Sequence, residues 1–320
     1  MSQRISTAIT GIDAAIFGVV DLRAANRFLQ DFGLRRARSG RFGADYRCVD
    51  RSEVRVRAAD SPQLPRAIEP GSTLRELVWG VGSRRSLEAI AGNLARDRSA
   101  SFDSEGTLHS VDDMGLAVGF RLTRRKELRT RPSAFNTPGC AVRVDRHAPY
   151  YDRATPQEIS HVVLGVPDIG TVERFYCARL GFRVSDRYVG RAVFLRAAPA
   201  GNHHHLFVLN SADRKVRFNH IAFKVRDIHE VIGGGQALAA RGWETHAGPG
   251  RHYPSSACFW YFKSPLGGAA EYAADEDMVT AKWRARRFVM SPENFSEWRF
   301  NSPSRGGALA GAAIAGSRSA

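Results

Sequence analysis

One local pattern recurs along this chain, and it constrains the fold more than any other feature. FGVVDLRAANRFLQDFGLR (17–35) and LGVPDIGTVERFYCARLGFR (164–183) share an extended apolar start, an Asp, a helical apolar pattern and a glycine followed by an apolar residue. In the second copy Asp168 is expected to cap the helix. Ile169, Val172, Phe175 and Tyr176 form one apolar stripe, and Gly181 closes the helix. A strand followed by a helix recurs at 75–97 and again at 220–242. A supersecondary unit reused in this way cannot bury its sheet face alone and must pack against its copies. The reading is an α+β chain of four βαβββ modules in two pairs, each pair forming an open, curved, barrel-like sheet with helices outside. The expected boundaries are an N-terminal domain at 8–125, a linker at 126–157, a C-terminal domain at 158–300 and a disordered tail at 301–320. The linker is rich in Pro and charge and poor in periodicity, and the tail ends GGALAGAAIAGSRSA.

Composition excludes several classes. With 320 residues, 43% hydrophobic and 25% charged, the chain can bury a core of about two domains. No apolar run approaches the roughly 20 residues of a membrane span. Asp13 interrupts the apolar N-terminal stretch, which lacks a signal-peptide core, so no membrane partner and a cytoplasmic location are expected. Cys48, Cys140, Cys177 and Cys258 are too dispersed for a disulfide scaffold. The net charge of +15 is mostly Arg spread along the chain, without a recognisable nucleic-acid module, so no nucleic-acid partner is expected.

His161, His220 and Glu271 each lie in a short apolar run: HVVLGVPD, FNHIAFKV and LGGAAEYA. Two imidazoles and one carboxylate on one face of an octahedral ion leave the opposite positions open, the ligand set of non-haem Fe(II) oxygenases. A lone His is more often structural than a ligand, so the set is weighed by its context. In the first copy the corresponding positions are Ala14, Glu76 and Gly119, which cannot rebuild the triad, and the metal site is expected only in the second half. Strand alternation places Val163 on the face of His161, where it leaves room for O₂ or serves as ordinary core.

From Gly250 to Glu271 the chain reads GRHYPSSACFWYFKSPLGGAAE, with His252 and Tyr261 nine residues apart and Glu271 ten further on. This segment resembles the signature of the type I extradiol ring-cleavage dioxygenases of the vicinal oxygen chelate superfamily. Trp260 stands where that family usually has an aliphatic residue or Phe, and Ser264 precedes Pro265 where an acidic or amide residue is common. The substrate wall beside Tyr261 is therefore expected to differ. The resemblance covers 155–275 by motif and the rest by architecture.

It implies Fe(II), ahead of Mn(II), held by His161, His220 and Glu271, with a catecholic substrate and O₂ as co-substrate. The implied chemistry is attack beside a hydroxyl-bearing carbon, expansion to a lactone and hydrolysis, with no organic cofactor consumed. Tyr261 and His252 would hydrogen-bond the substrate oxygens. The reaction also needs a proton donor near the open positions, and histidine is the side chain suited to it. GNHHHLFVLN supplies the candidates. The family's His-x-Leu pattern selects His204, with His205 as the alternative because a one-residue register change reverses the choice; a solvated tri-histidine loop is the bland reading, mainly for His203. Apart from the resemblance, Arg251 or Arg299 is a candidate for recognising a substrate carboxylate, although an Arg near a pocket is weak evidence in a chain so rich in Arg. A homo-oligomer is expected. A 4-hydroxyphenylpyruvate-type dioxygenase and a non-catalytic binding protein of the same superfamily remain as alternatives.

Overall fold

The computed structural model describes residues 8–131 and 133–300, and the expected tail lies outside the described residues. The first half runs β1 (Ile9–Val19), α1 (Leu22–Asp31), β2 (Arg35–Gly40), β3 (Gly43–Arg47) and β4 (Glu53–Ala58). It repeats the unit as β5 (Thr73–Val81), α2 (Arg84–Leu94), β6 (Ser101–Phe102), β7 (Leu108–Val111) and β8 (Ala117–Leu122). The second half runs β9 (Glu158–Val166), α3 (Ile169–Glu173), β10 (Arg183–Tyr188), β11 (Ala192–Arg196), β12 (Gly201–Asn202) and β13 (Leu206–Asn210). Its second unit is β14 (Arg217–Lys224), α4 (Ile228–Ala240), β15 (Thr245–His252), β16 (Cys258–Lys263) and β17 (Ala269–Ala274). The short β18 (Met278–Val279), β19 (Arg286–Phe288), α5 (Pro292–Phe295) and β20 (Ser296–Arg299) follow.

Each half is built on one open sheet, with β12 and β18 of the second half pairing apart from it. The first has eight strands in the order β2-β3-β4-β1-β5-β8-β7-β6, and the second has ten in the order β19-β10-β11-β13-β9-β14-β17-β16-β15-β20. In both, the leading strands of the two units pair antiparallel at the centre, β1 with β5 and β9 with β14. Each leading strand also pairs parallel with the last strand of its own unit. The expected caps are present. Asp21 accepts from the Ala24 amide and Asp168 from those of Gly170 and Thr171, which satisfies otherwise orphaned helix-start donors. Val172, Phe175 and Tyr176 are buried as the stripe requires, and Gly181 adopts φ +78° just past the helix. After Glu173, however, the helix widens into a π-helical turn, Arg174–Arg179.

The halves meet through their helical sides. Phe28 of α1 packs edge-on to Trp243 after α4, and Phe32 stacks on Tyr272 of β17 with centroids 4.1 Å apart. The Tyr272 hydroxyl donates to the Phe32 carbonyl at 2.8 Å. On the other side Trp79 of β5 packs against Tyr176 and Phe182, and Arg179 donates to Asn93 and Asp97. One apolar core therefore runs through both halves. No helix among the described residues is long and apolar enough to cross a membrane. Cys48, Cys140 and Cys258 form no disulfide among the described residues.

Candidate metal centre

The three central strands of the second sheet bring His161, His220 and Glu271 together. Between β9 and β14, Ala222 lies opposite His161 and Val163 opposite His220; between β14 and β17, Ala222 lies beside Glu271. Ala222 thus occupies the row between His161 and Glu271. His220, two residues earlier on β14, projects from the same face. The small Ala222 side chain leaves the space above it to the three longer ones.

His161 Nε2 and His220 Nε2 lie 3.3 and 3.2 Å from Glu271 Oε2, and 3.4 Å from each other. Donors about 2.0–2.2 Å from an ion and at right angles to one another stand about 3 Å apart, so the triangle fits one face of an octahedron. All three residues are buried, and neither Glu271 oxygen receives a well-formed hydrogen bond among the described residues. A buried carboxylate left in that condition is costly unless a cation satisfies it, so the donor set fits a divalent metal. Burial pushes the Glu271 carboxyl up, but His161, His220 and His252 outweigh it and hold the group well below the usual range. Burial also brings the His220 imidazole down to about 4, against the pull of Glu271, so that it is neutral as a ligand must be.

His252 and Tyr261 close one side. The Tyr261 ring stands 4.9 Å from that of His220, and its hydroxyl is 2.9 Å from His252 Nε2. His252 Nδ1 lies 3.1 Å from the Phe295 carbonyl, which can only accept, so Nδ1 donates there and Nε2 is left to accept a hydrogen bond from the Tyr261 hydroxyl. Burial and the Glu271 charge raise the Tyr261 phenol well above its ordinary value, so it stays a donor.

His203, His204 and His205 correct two expectations. All three are buried, so they are no solvated loop, and they lie between β12 and β13 in irregular chain to which strand alternation does not apply. The His204 ring lies 4.0 Å from that of His161, with Nδ1 3.0 Å from Glu276. His205 Nδ1 accepts from the Ala197 amide, and His203 is paired with Asp186 at 2.9 Å. Val163 packs with Tyr188, Ala192, Phe194 and Leu209, with Phe207 alongside, in an apolar cluster on the donor face. A second apolar cluster, Ala247, Phe259, Tyr261 and Ala269, flanks the other side.

Two further expectations change. Arg251 is paired with Asp275 at 3.0 Å and lies 3.7 Å from Glu297, and Arg299 sits over the Phe295 ring, so both guanidinium groups already have partners. Trp260 faces away from the metal donors; its indole donates to Thr245 and its ring lies against Gly235 of α4, so it forms no wall beside Tyr261. Sequence reasoning also missed Ser160, Lys224 and Glu276, which gather behind His161 and His204.

The first half has the same register without the donors. Glu76 lies opposite Ile16 and beside Ala117, as His220 lies opposite Val163 and beside Ala269. Counting from those pairs, Ala14 and Gly119 take the places of His161 and Glu271. Glu76 is instead bound to His109 at 2.6 Å, and His109 lies opposite Gly119 as Tyr261 lies opposite Glu271.

Comparison with known proteins agrees with this architecture. Residues 158–272 match the Glyoxalase/Bleomycin resistance protein/Dioxygenase superfamily. Metapyrocatechase 2 of Cupriavidus necator is 30% identical over 305 residues, spanning 91% of this chain and 89% of that protein. Among solved structures, the Mn(II)-bound glyoxalase from Novosphingobium aromaticivorans superposes with a TM-score of 0.71 at 21% identity, covering 94% of this chain and 99% of that one. BphC, a halotolerant catechol dioxygenase, gives 0.71 at 16% identity over 94% and 97% of the two chains. Homoprotocatechuate 2,3-dioxygenase from Arthrobacter globiformis gives 0.69 at 18% identity over 92% and 88%. These structures share the fold. The full-length sequence relationship goes further: this chain belongs to the type I extradiol ring-cleavage dioxygenases of the vicinal oxygen chelate superfamily.

Proposed function

We propose that this chain is an Fe(II)-dependent dioxygenase that opens the ring of an uncharged, apolar-substituted catechol with O₂, using a single centre in a C-terminal domain at 158–300. The observation that carries this reading is the convergence of His161, His220 and Glu271 within 3.2–3.4 Å of one another on an apolar sheet face. The ion, Fe(II) ahead of Mn(II), would supply adjacent positions for catecholate and O₂ and a route for charge between them. The protein does the rest. Tyr261, held by His252, orients a substrate oxygen by hydrogen bonding. His204 holds and returns a proton. Val163 and its cluster keep water from the face where O₂ is taken up. The N-terminal domain, 8–125, and the linker, 126–157, support this centre and bind no metal.

Charge and polarity support the choice of substituent. Phe194 and Phe207 stack 4.1 Å apart beside His204, and Phe259 stacks on His252 at 4.0 Å. Among the nearby guanidinium groups, Arg251 is paired with Asp275, Arg286 with Asp186 and Asp277, and Arg196 donates to the Val184 carbonyl and the Ser185 hydroxyl. A substrate carboxylate brought beside Arg251 or Arg286 would be desolvated next to a cation that is already paired. The test is a panel of catechols offered to Fe(II)-loaded protein and followed by the absorbance of ring-opened product. Alkyl- and aryl-catechols should be cleaved, with kcat/KM at least about tenfold above catechols bearing a carboxylate. Preference for the carboxylate-bearing members would overturn the substituent assignment, and no ring opening across the panel would overturn the activity.

A further inference from the structure

Glu276 is a buried acid five residues beyond Glu271, outside the metal triangle, and its surroundings decide which ring nitrogen carries a proton on two site histidines. Its side chain is 1% exposed. Ser160 Oγ donates to Glu276 Oε2 at 3.3 Å and lies 3.1 Å from His161 Nδ1. A serine hydroxyl has one proton to give. Spent on Glu276, it leaves Ser160 Oγ to accept from His161 Nδ1–H, so His161 Nε2 keeps the lone pair that it presents toward Glu271 and His220.

The same carboxylate acts directly on His204. Glu276 Oε1 lies 3.0 Å from His204 Nδ1, an ion-pair contact without the alignment of a hydrogen bond, and its negative charge there favours the tautomer with the proton on Nδ1 and Nε2 as the basic end. His203 agrees with this. Its Nε2 donates to Asp186, so its Nδ1, 3.1 Å from His204 Nδ1, accepts as well. Lys224 Nζ, 3.1 Å from Glu276 Oε2 and 2.7 Å from Asn202, compensates the buried charge.

We propose that Glu276 is a positioning residue that orients two site histidines at once, His161 as a metal ligand through Ser160 and His204 as the proton-handling group by direct contact. The inference rests on the roles given above to His161 and His204. Groups behind a ligating histidine fix its tautomer and ring orientation, and their loss typically weakens metal affinity about 10–100-fold. Losing the orientation of a general acid or base removes part of a contribution of about 10²–10⁴-fold.

The experiment compares wild type, Glu276→Gln and Ser160→Ala. Fe(II) affinity is measured by chelator competition on apo-protein, and kcat and KM for a catechol are measured at saturating Fe(II). A glutamine amide cannot accept from Lys224, Ser160 and His204 together. Glu276→Gln is therefore expected to weaken Fe(II) binding by about 10-fold or more and to lower kcat by about 10²-fold with KM changed less than about threefold. Ser160→Ala should weaken Fe(II) binding with a smaller loss of kcat, because His204 keeps its partner. If Glu276→Gln fails to fold beside an unpaired Lys224, the double variant Lys224→Gln, Glu276→Gln is measured instead. Wild-type affinity and kcat in the folded variant would overturn the proposal, as would a raised KM with unchanged kcat. Loss of a second bound equivalent would overturn it too, by making Glu276 a ligand. Wild-type protein that binds no metal would instead overturn the metal-site reading on which the proposal rests.

Discussion

His204 and His205 offer the same chemistry one residue apart, and their surroundings separate them. Burial pushes both imidazoles down, His205 to about 3 with the Arg125 charge adding to the effect. His205 spends Nδ1 on a backbone amide, whereas His204 faces the ring of His161. His204→Phe should therefore keep its metal and lose about 10²–10⁴-fold in turnover, measured as iron content and steady-state rate on one preparation. Full activity in that variant together with loss in His205→Phe would reverse the assignment. In the first half, the hydrogen bond to Glu76 raises His109 from 6.5 to about 9, against the opposing effect of burial. A folded-state value above the unfolded one means that this contribution to stability is complete below about pH 6.5 and lost as pH rises through about 9. The imidazole titration, followed by NMR, should have its midpoint near 9 and fall toward 6.5 in Glu76→Gln; a wild-type midpoint at the lower value would contradict the pairing. The metal triad was legible because its flanking motif spans one continuous segment. Ser160, Lys224 and Glu276 were not, because they come from separate strand ends and share no spacing. The only hint was the run of three acids, Asp275, Glu276 and Asp277, soon after Glu271.

At the scale of elements, α4 carries three consecutive glycines, Gly233 to Gly235, where helix propensity favours alanine by about 1 kcal/mol each. Packing explains them. A Cβ on Gly235 would stand 2.2 Å from the Trp260 ring, and one on Gly234 would stand 2.6 Å from the Ala154 Cβ. Gly235→Ala should destabilise the protein by about 1–3 kcal/mol in denaturant unfolding, with partial recovery in a Trp260→Phe background. A gain in stability would contradict the packing argument. The leading strand and helix of each unit were legible from alternation, caps and apolar stripes, and the register confirms the paired positions Ala14, Glu76 and Gly119. The π-helical turn and the short strands β12, β18, β19 and β20 were not. A π turn has no period of its own in six residues, and two- to four-residue edge strands owe their existence to neighbours distant in sequence. The Trp260 side chain was misplaced for a related reason, since which face of β16 meets α4 depends on glycines elsewhere.

Across the whole molecule, two copies of one architecture share a continuous core, and among the described residues the donor groups that could hold a metal, His161, His220 and Glu271 and the overlapping His161, His204 and Glu276, all lie in the second copy. Phe32 against Tyr272 and Trp79 against Tyr176 tie the halves together, so the first half supports the second even though Ala14, Glu76 and Gly119 stand at the positions that His161, His220 and Glu271 take in the second. The repeat was visible in the sequence; the shared core was not, because it depends on which helical faces meet. The central claim is one metal ion per chain, held by His161, His220 and Glu271. It is tested most directly by loading wild-type and Glu271→Ala protein anaerobically with Fe(II), removing free metal, and measuring iron per folded chain. One equivalent is expected in the wild type and none in the variant. Iron retained by folded Glu271→Ala, or two equivalents in the wild type, would contradict it.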